Sequence, residues 1–148
     1  MSSYIDLLEK SYVIFRLKSF NRNLRNEIKN NRKIYFWDNG IRNTIIANLN
    51  DLNLRNDKGA LWENFLIAER MKFMEYNSKI VNCYFWRNKQ QQEIDFIEDR
   101  DGQINAYEFK WKKDVNIKLP SLFEKTYNAK VQVVSKNNFR DFIMPTTL

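Results

Sequence analysis

The chain has 148 residues, enough for one domain with a real core, and its 43% hydrophobic and 15% aromatic content excludes a disordered polymer. Its 25 Lys and Arg against 18 Asp and Glu give a formal charge of +7, which suits a polyanion partner as well as a merely solvated basic surface. The lack of any histidine excludes Ser-His-Asp and Cys-His catalysis and His-ligated zinc, and the three glycines, Gly40, Gly59 and Gly102, cannot form a phosphate-binding loop. Apolar runs such as Ile34, Tyr35, Phe36 and Trp37 are far too short to cross a bilayer, and no apolar signal core follows Met1, so a soluble, cytoplasmic protein is expected. The single cysteine, Cys83, lies among Val81, Tyr84, Phe85 and Trp86 and is expected to pack in the core.

In chain order, residues 3–10 suggest a short helix and 12–20 a strand. Residues 21–32 are polar and basic, a wing or loop with a helical turn. Between Lys10 and Lys33 eight basic residues, including Arg22 and Arg25, are met only by Glu27. Residues 33–37 form a strand closed by Asp38, Asn39 and Gly40, a turn expected to place Gly40 at positive φ and to let Asp38 or Asn39 cap a helix over 41–49. A loop over 50–58 leads to the longest helix, 59–76, with Trp62, Phe65, Leu66, Glu69 and Phe73 along one face. A strand over 80–86, a hairpin, a helix opened by Leu119, Pro120 and Ser121, and a strand over 130–134 follow, giving the order α-β-β-β-α-β. The four tryptophans, Trp37, Trp62, Trp86 and Trp111, read as packing residues.

The hairpin is the most informative segment. Both arms, 92–98 and 103–111, alternate polar and apolar residues, and Asp101-Gly102 is a favoured type I′ turn. With a two-residue loop, Asp95 stands opposite Glu108 and Glu93 opposite Lys110, so Asp95, Glu108 and Lys110 share a face, with Ile94, Phe96 and Phe109 in the opposite layer. Like charges facing each other destabilise a sheet, and a divalent cation would relieve the conflict. A solvated amphipathic face with an ordinary Glu93–Lys110 pair fits the same alternation.

Glu63 on the long helix, Asp95 on the second core strand and Glu108-Phe109-Lys110 on the third resemble the signature of the PD-(D/E)XK, restriction-endonuclease-like superfamily, with Ile94 in place of its proline. The resemblance implies a mixed α/β sheet with an αβββαβ core, catalytic Glu63, Asp95, Glu108 and Lys110, and Mg2+ held by Asp95 and Glu108. A closer resemblance, carried by residues 23–28, 33–43, 59–65 and 93–96, is to the C-terminal domain of prokaryotic AAA-type ATPases. It implies a winged-helix-like segment at 1–58, a nuclease-like core at 59–148, and an ATPase partner module normally N-terminal and absent from this chain. The chain is then expected to be a truncated product or an expressed fragment that starts in the connecting segment. Nucleic acid, DNA above all, is the expected ligand, with Arg22, Arg25, Lys112 and Lys113 on its phosphates. Three functions stay open: a metal-dependent nuclease, a non-catalytic interaction or regulatory domain, and an antitoxin- or adaptor-like element with a vestigial acidic site.

Overall fold

The computed structural model describes residues 2–22, 31–112 and 119–145. Five helices and six strands follow one another as α1 (Ser2–Lys10), β1 (Ile14–Ser19), β2 (Arg32–Phe36), α2 (Asn39–Ile45), a 3-10 turn (Leu52–Leu54), α3 (Lys58–Tyr76), β3 (Asn82–Arg87), β4 (Glu93–Arg100), β5 (Gln103–Phe109), α4 (Ser121–Tyr127), β6 (Val131–Val134) and α5 (Phe139–Ile143). From α3 to β6 the order is the expected α-β-β-β-α-β, and α5 follows it. Arg25 and Lys113 lie outside the described residues, as does most of the expected wing.

All six strands form one mixed sheet in the order β2-β1-β3-β4-β5-β6. β1 runs parallel to β3 and β5 parallel to β6, while the other neighbours are antiparallel. The parallel β5–β6 pair needs a crossover, and α4 lies within it. Helices cover both faces. On one, Trp62, Leu66, Ile67, Ala68 and Met74 of α3 and Phe142 and Ile143 of α5 pack on Phe15, Leu17, Tyr35, Phe85, Phe96, Tyr107 and Phe109. On the other, Phe123 of α4 packs with Phe20, Trp86, Ile94, Ile97, Ala106 and Val131.

The hairpin turns as expected: Arg100 pairs with Gln103, and Asp101 and Gly102 both have positive φ, 52° and 81°. Its far end departs from strict alternation. Tyr84 pairs with Ile97 but Trp86 with Ile94, so Asp95 and Phe96 together oppose the single residue Phe85 in a β-bulge. Ile94, expected in one layer with Phe96 and Phe109 and on the face opposite Asp95, therefore packs in the α4-side cluster, while those two pack beneath α3, the side to which Asp95 also turns, so the expected separation of Asp95 from Phe109 does not hold.

Two further expectations are corrected. Gly40 is helical and not at positive φ; a Cβ there would come within 2.7 Å of the Asp38 Oδ1 that accepts from Gly40 N and Ile41 N, so close approach to the cap explains the glycine. The Glu93–Lys110 pair is replaced: Glu93 stands opposite Arg87 on β3, and Lys110 bonds Glu108 at 2.6 Å. Trp62 and Trp86 are buried, Trp37 and Trp111 pack against the α3-side core, and Cys83 packs there too, its thiol pushed up to about 12 by burial.

α3 buries more of its circumference than one stripe, including the polar Asn64 and Arg70. Asn64 and Arg70 both have matched partners, as burial demands. The Asn64 amide closes two 2.8 Å bonds with the backbone N and O of Phe36, tying α3 to the end of the edge strand β2. Arg70 grips Glu98 of β4 with two bonds, 2.6 and 3.0 Å, and donates to Phe142 O at 2.7 Å.

Candidate functional site

The bulge decides where Asp95 points. It brings the carboxylate to the α3 side, where ligand oxygens of Glu63, Glu93 and Asp95 lie within 4.8 Å of one another. Each comes from a fixed element. Glu63 sits on the face of α3 turned toward β2 and accepts from Tyr35 Oη at 2.5 Å and Lys33 Nζ at 3.0 Å. Glu93 opens β4 and is held by Arg87 Nε at 2.7 Å and by the Lys33 ammonium. Asp95 Oδ2 accepts from the backbone N–H of Phe109 at 2.7 Å, which fixes the carboxylate against β5. Beyond it stands the Glu108–Lys110 pair, in which Glu108 Oε2 is buried without a hydrogen-bond partner among the described residues. A depression of about 290 Å³ lined in part by Lys33, Tyr35, Arg42, Glu63 and Asn64 opens beside the cluster. A larger cleft around Arg70 and Glu98 shares no lining residue with the three carboxylates.

The electrostatics follow from crowding half-buried charges. Burial first, then Glu63 and Glu108, push the Asp95 carboxyl up to about 8 against the opposing pull of the Phe109 N–H and Lys33. Burial works to lower the Lys33 ammonium, but Glu63 and Glu93 outweigh it and hold Lys33 above its ordinary value. Burial likewise works to raise Glu93, and Lys33 and Arg87 outweigh it and keep that group low. The Tyr35 phenol is raised by burial and by the Glu63 carboxylate it bonds. At neutral pH the cluster therefore holds a salt-bridged Glu93, a Lys33 that stays charged, and an Asp95 that retains its proton much of the time.

Residues 58–144 match the family described as Domain of unknown function (DUF4143), which covers more than half of the chain. The chain belongs to the DUF4143 family. Residues 1–56 of this DUF4143 chain match a second family, Domain of unknown function (DUF8612). Two curated relatives, Uncharacterized protein Mb2031c of Mycobacterium bovis and Uncharacterized protein Rv2008c of Mycobacterium tuberculosis, are each 28% identical over 109 residues, 72% of this chain and 24% of theirs. The chain thus spans about a quarter of the length of these relatives. No solved structure matches it.

In the DUF4143 chain, the four residues singled out from sequence fall into two adjoining groups. Glu63 and Asp95 join the converging carboxylates; Glu108 and Lys110 form their own pair, close enough for Glu108 to act on Asp95. Glu93, Lys33 and Tyr35 belong to the site and were not anticipated. Glu93 reads in sequence as a surface ion-pair partner, and Lys33 as one more base in a basic run. Only the strand order, which sets β2 beside α3, reveals them. Of the expected phosphate contacts, Lys112 is exposed, and Arg22 is half-exposed with its guanidinium 2.5 Å from Asp99. No helix among the described residues is long and apolar enough to cross a membrane.

Proposed function

We propose that this chain is a nuclease-like, nucleic-acid-binding domain of the cytoplasm that works beside an AAA-type ATPase module, with a Mg2+-dependent phosphodiesterase site at Asp95 and Glu108. The reading adopts the PD-(D/E)XK architecture as its frame. The observation that carries it is the convergence of Asp95 with Glu63 and Glu93 on the α3 side, with Glu108 near enough to raise Asp95 and its Oε2 buried and unpartnered among the described residues. Carboxylate oxygens in this company suit a hard divalent cation. Asp95 and Glu108 would hold it, with Glu63 behind them, and when bound it would supply Lewis-acid charge on a phosphate and an acidified water. The Phe109 N–H sets the orientation of Asp95 before any ligand arrives. Lys110, 2.6 Å from Glu108, keeps an ammonium beside the acids, where it can orient a water and counter charge developing on phosphate.

One observation favours a non-catalytic interaction or regulatory domain instead. Lys33 already bonds both Glu63 and Glu93, so an internal cation neutralises part of the acidic group. The two readings separate in one experiment: thermal unfolding with and without Mg2+ or Mn2+, run beside cleavage of duplex DNA. If the site is a metal centre, the melting temperature rises, by the equivalent of about 2.7 kcal/mol at a hundredfold excess over the dissociation constant. Asp95→Asn and Glu108→Gln then abolish the rise, Lys110→Ala keeps it but loses cleavage, and Lys33→Met enlarges it. No shift in either wild type or Lys33→Met, together with no cleavage, leaves the non-catalytic reading standing.

A further inference from the structure

The stretch from α2 through the 3-10 turn touches α3 and β2 yet leaves most of its aliphatic side chains exposed. Neither element contains a buried residue. Ile41, Ile45, Ile46, Leu49, Leu52 and Leu54 leave 41, 62, 48, 75, 49 and 77% of their surface in solvent. Slack chain does not explain this, because the segment is pinned at both ends. Asp38 caps α2, and Asn39 Nδ2 donates to Leu61 O of α3 at 3.0 Å. Arg55, itself buried, donates to Asn48 O at 2.5 Å and grips Asp57 with two 2.8 Å bonds, while Arg42 reaches the same carboxylate at 2.9 Å. The fold thus holds six large aliphatic side chains out in water.

We propose that this face is a homodimer interface, on which a second copy of the chain seats the same α2 and 3-10 segment. Two observations select that occupant. The exposed aliphatic surface is on the order of 600 Å², the size of the largest patches that monomers carry and most of the roughly 800 Å² each partner gives to a stable interface. The charge pattern also singles out this place on an otherwise basic molecule. The chain carries +7, which repels a second copy, yet residues 38–58 contain three acids (Asp38, Asp51, Asp57) and three bases (Arg42, Arg55, Lys58) and are net neutral. Arg42, Arg55 and Asp57 are moreover spent on one another. Two copies can meet here without charge conflict, and a twofold contact requires only that the patch suit itself. A nucleic acid or an acidic protein would instead be drawn to the basic surfaces elsewhere.

Sedimentation equilibrium on the 148-residue chain tests this interface independently of any metal or nucleic acid. The wild type should form a concentration-dependent dimer whose affinity holds or tightens as salt is raised, since apolar contacts are not screened. Leu49→Asp with Leu54→Asp should weaken it by at least about tenfold. Both positions are exposed in the monomer, so the far-UV circular dichroism and the melting temperature of the monomer should be unchanged. Ile80→Asp, at a position 92% exposed and outside this segment, should leave the dimer intact. A monomer at every soluble concentration would overturn the proposal and assign the face to a different polypeptide. A dimer untouched by the paired substitution, or equally lost with Ile80→Asp, would overturn it as well.

Discussion

Asp95 carries the clearest consequence for a single proton. Its carboxyl titrates near 8 in the fold because burial, Glu63 and Glu108 all disfavour the charge, whereas an unfolded aspartate titrates near about 3.9. The native state therefore holds that proton more tightly than the unfolded chain. Its contribution to stability is complete below about pH 4 and is lost as the pH climbs toward 8. Asp95→Asn keeps the oxygen that accepts from the Phe109 N–H and never ionises. The substitution should be neutral near pH 4 and increasingly stabilising as the pH rises toward 8 without divalent cation. Urea unfolding of both proteins across that range checks the sign. A variant less stable than wild type at pH 8 would mean that Asp95 is a well-compensated anion, not a crowded one.

At the scale of elements, most of the order could be read directly. The type I′ turn at Asp101 and Gly102, the alternation of its arms, and the apolar content of α3 each specify their element locally, and the structure has them where the residues indicate. The bulge at Asp95 and Phe96 could not be read, because two successive residues against Phe85 leave no trace in an alternating pattern. It reassigned Ile94 to the α4-side layer and turned Asp95 toward Glu63. Lys33, Tyr35 and Glu93 were hidden for a related reason: their roles come from β2 lying beside α3, a long-range pairing that no local window contains. Arg70 on α3 was equally silent, a charged residue on a face that turns out to be buried. It joins α3, β4 and α5 through Glu98 and Phe142 O, and Glu98 outweighs burial to keep its guanidinium raised. Arg70→Met would strand the Glu98 carboxylate and should cost about 3–5 kcal/mol. Arg70→Met with Glu98→Leu should recover most of that loss, since a packed apolar pair can replace a buried ion pair. Denaturant midpoints decide, and a single variant within about 1 kcal/mol of wild type would show that water already reaches the pair.

Across the whole molecule, the +7 charge is less free than its total suggests. Arg16 is held by Asp6 and Glu9, Arg22 by Asp99, and Lys33 by Glu63 and Glu93. Lys18 and Arg32, by contrast, are both exposed, have no ion-pair partner among the described residues, and stand directly opposite each other on β1 and β2. Facing like charges weaken a sheet, so this spot gains from an anion, and a phosphate backbone is the anion that the proposed function supplies. Lys18→Glu should therefore move two measurements in opposite directions. The protein should become slightly more stable, by about 0.2–1 kcal/mol, because a like-charged cross-strand pair becomes an opposite-charged one. Affinity for generic duplex DNA should fall about equally for all sequences, and the slope of log affinity against log salt should shrink by about one. Arg22→Glu should change affinity less, since Asp99 already neutralises that guanidinium. If Lys18→Glu stabilises the fold but leaves DNA affinity and its salt slope unchanged, the Lys18–Arg32 pair is not a phosphate contact. Should the wild type bind no duplex even at low salt, the nucleic-acid partner is ruled out for this chain.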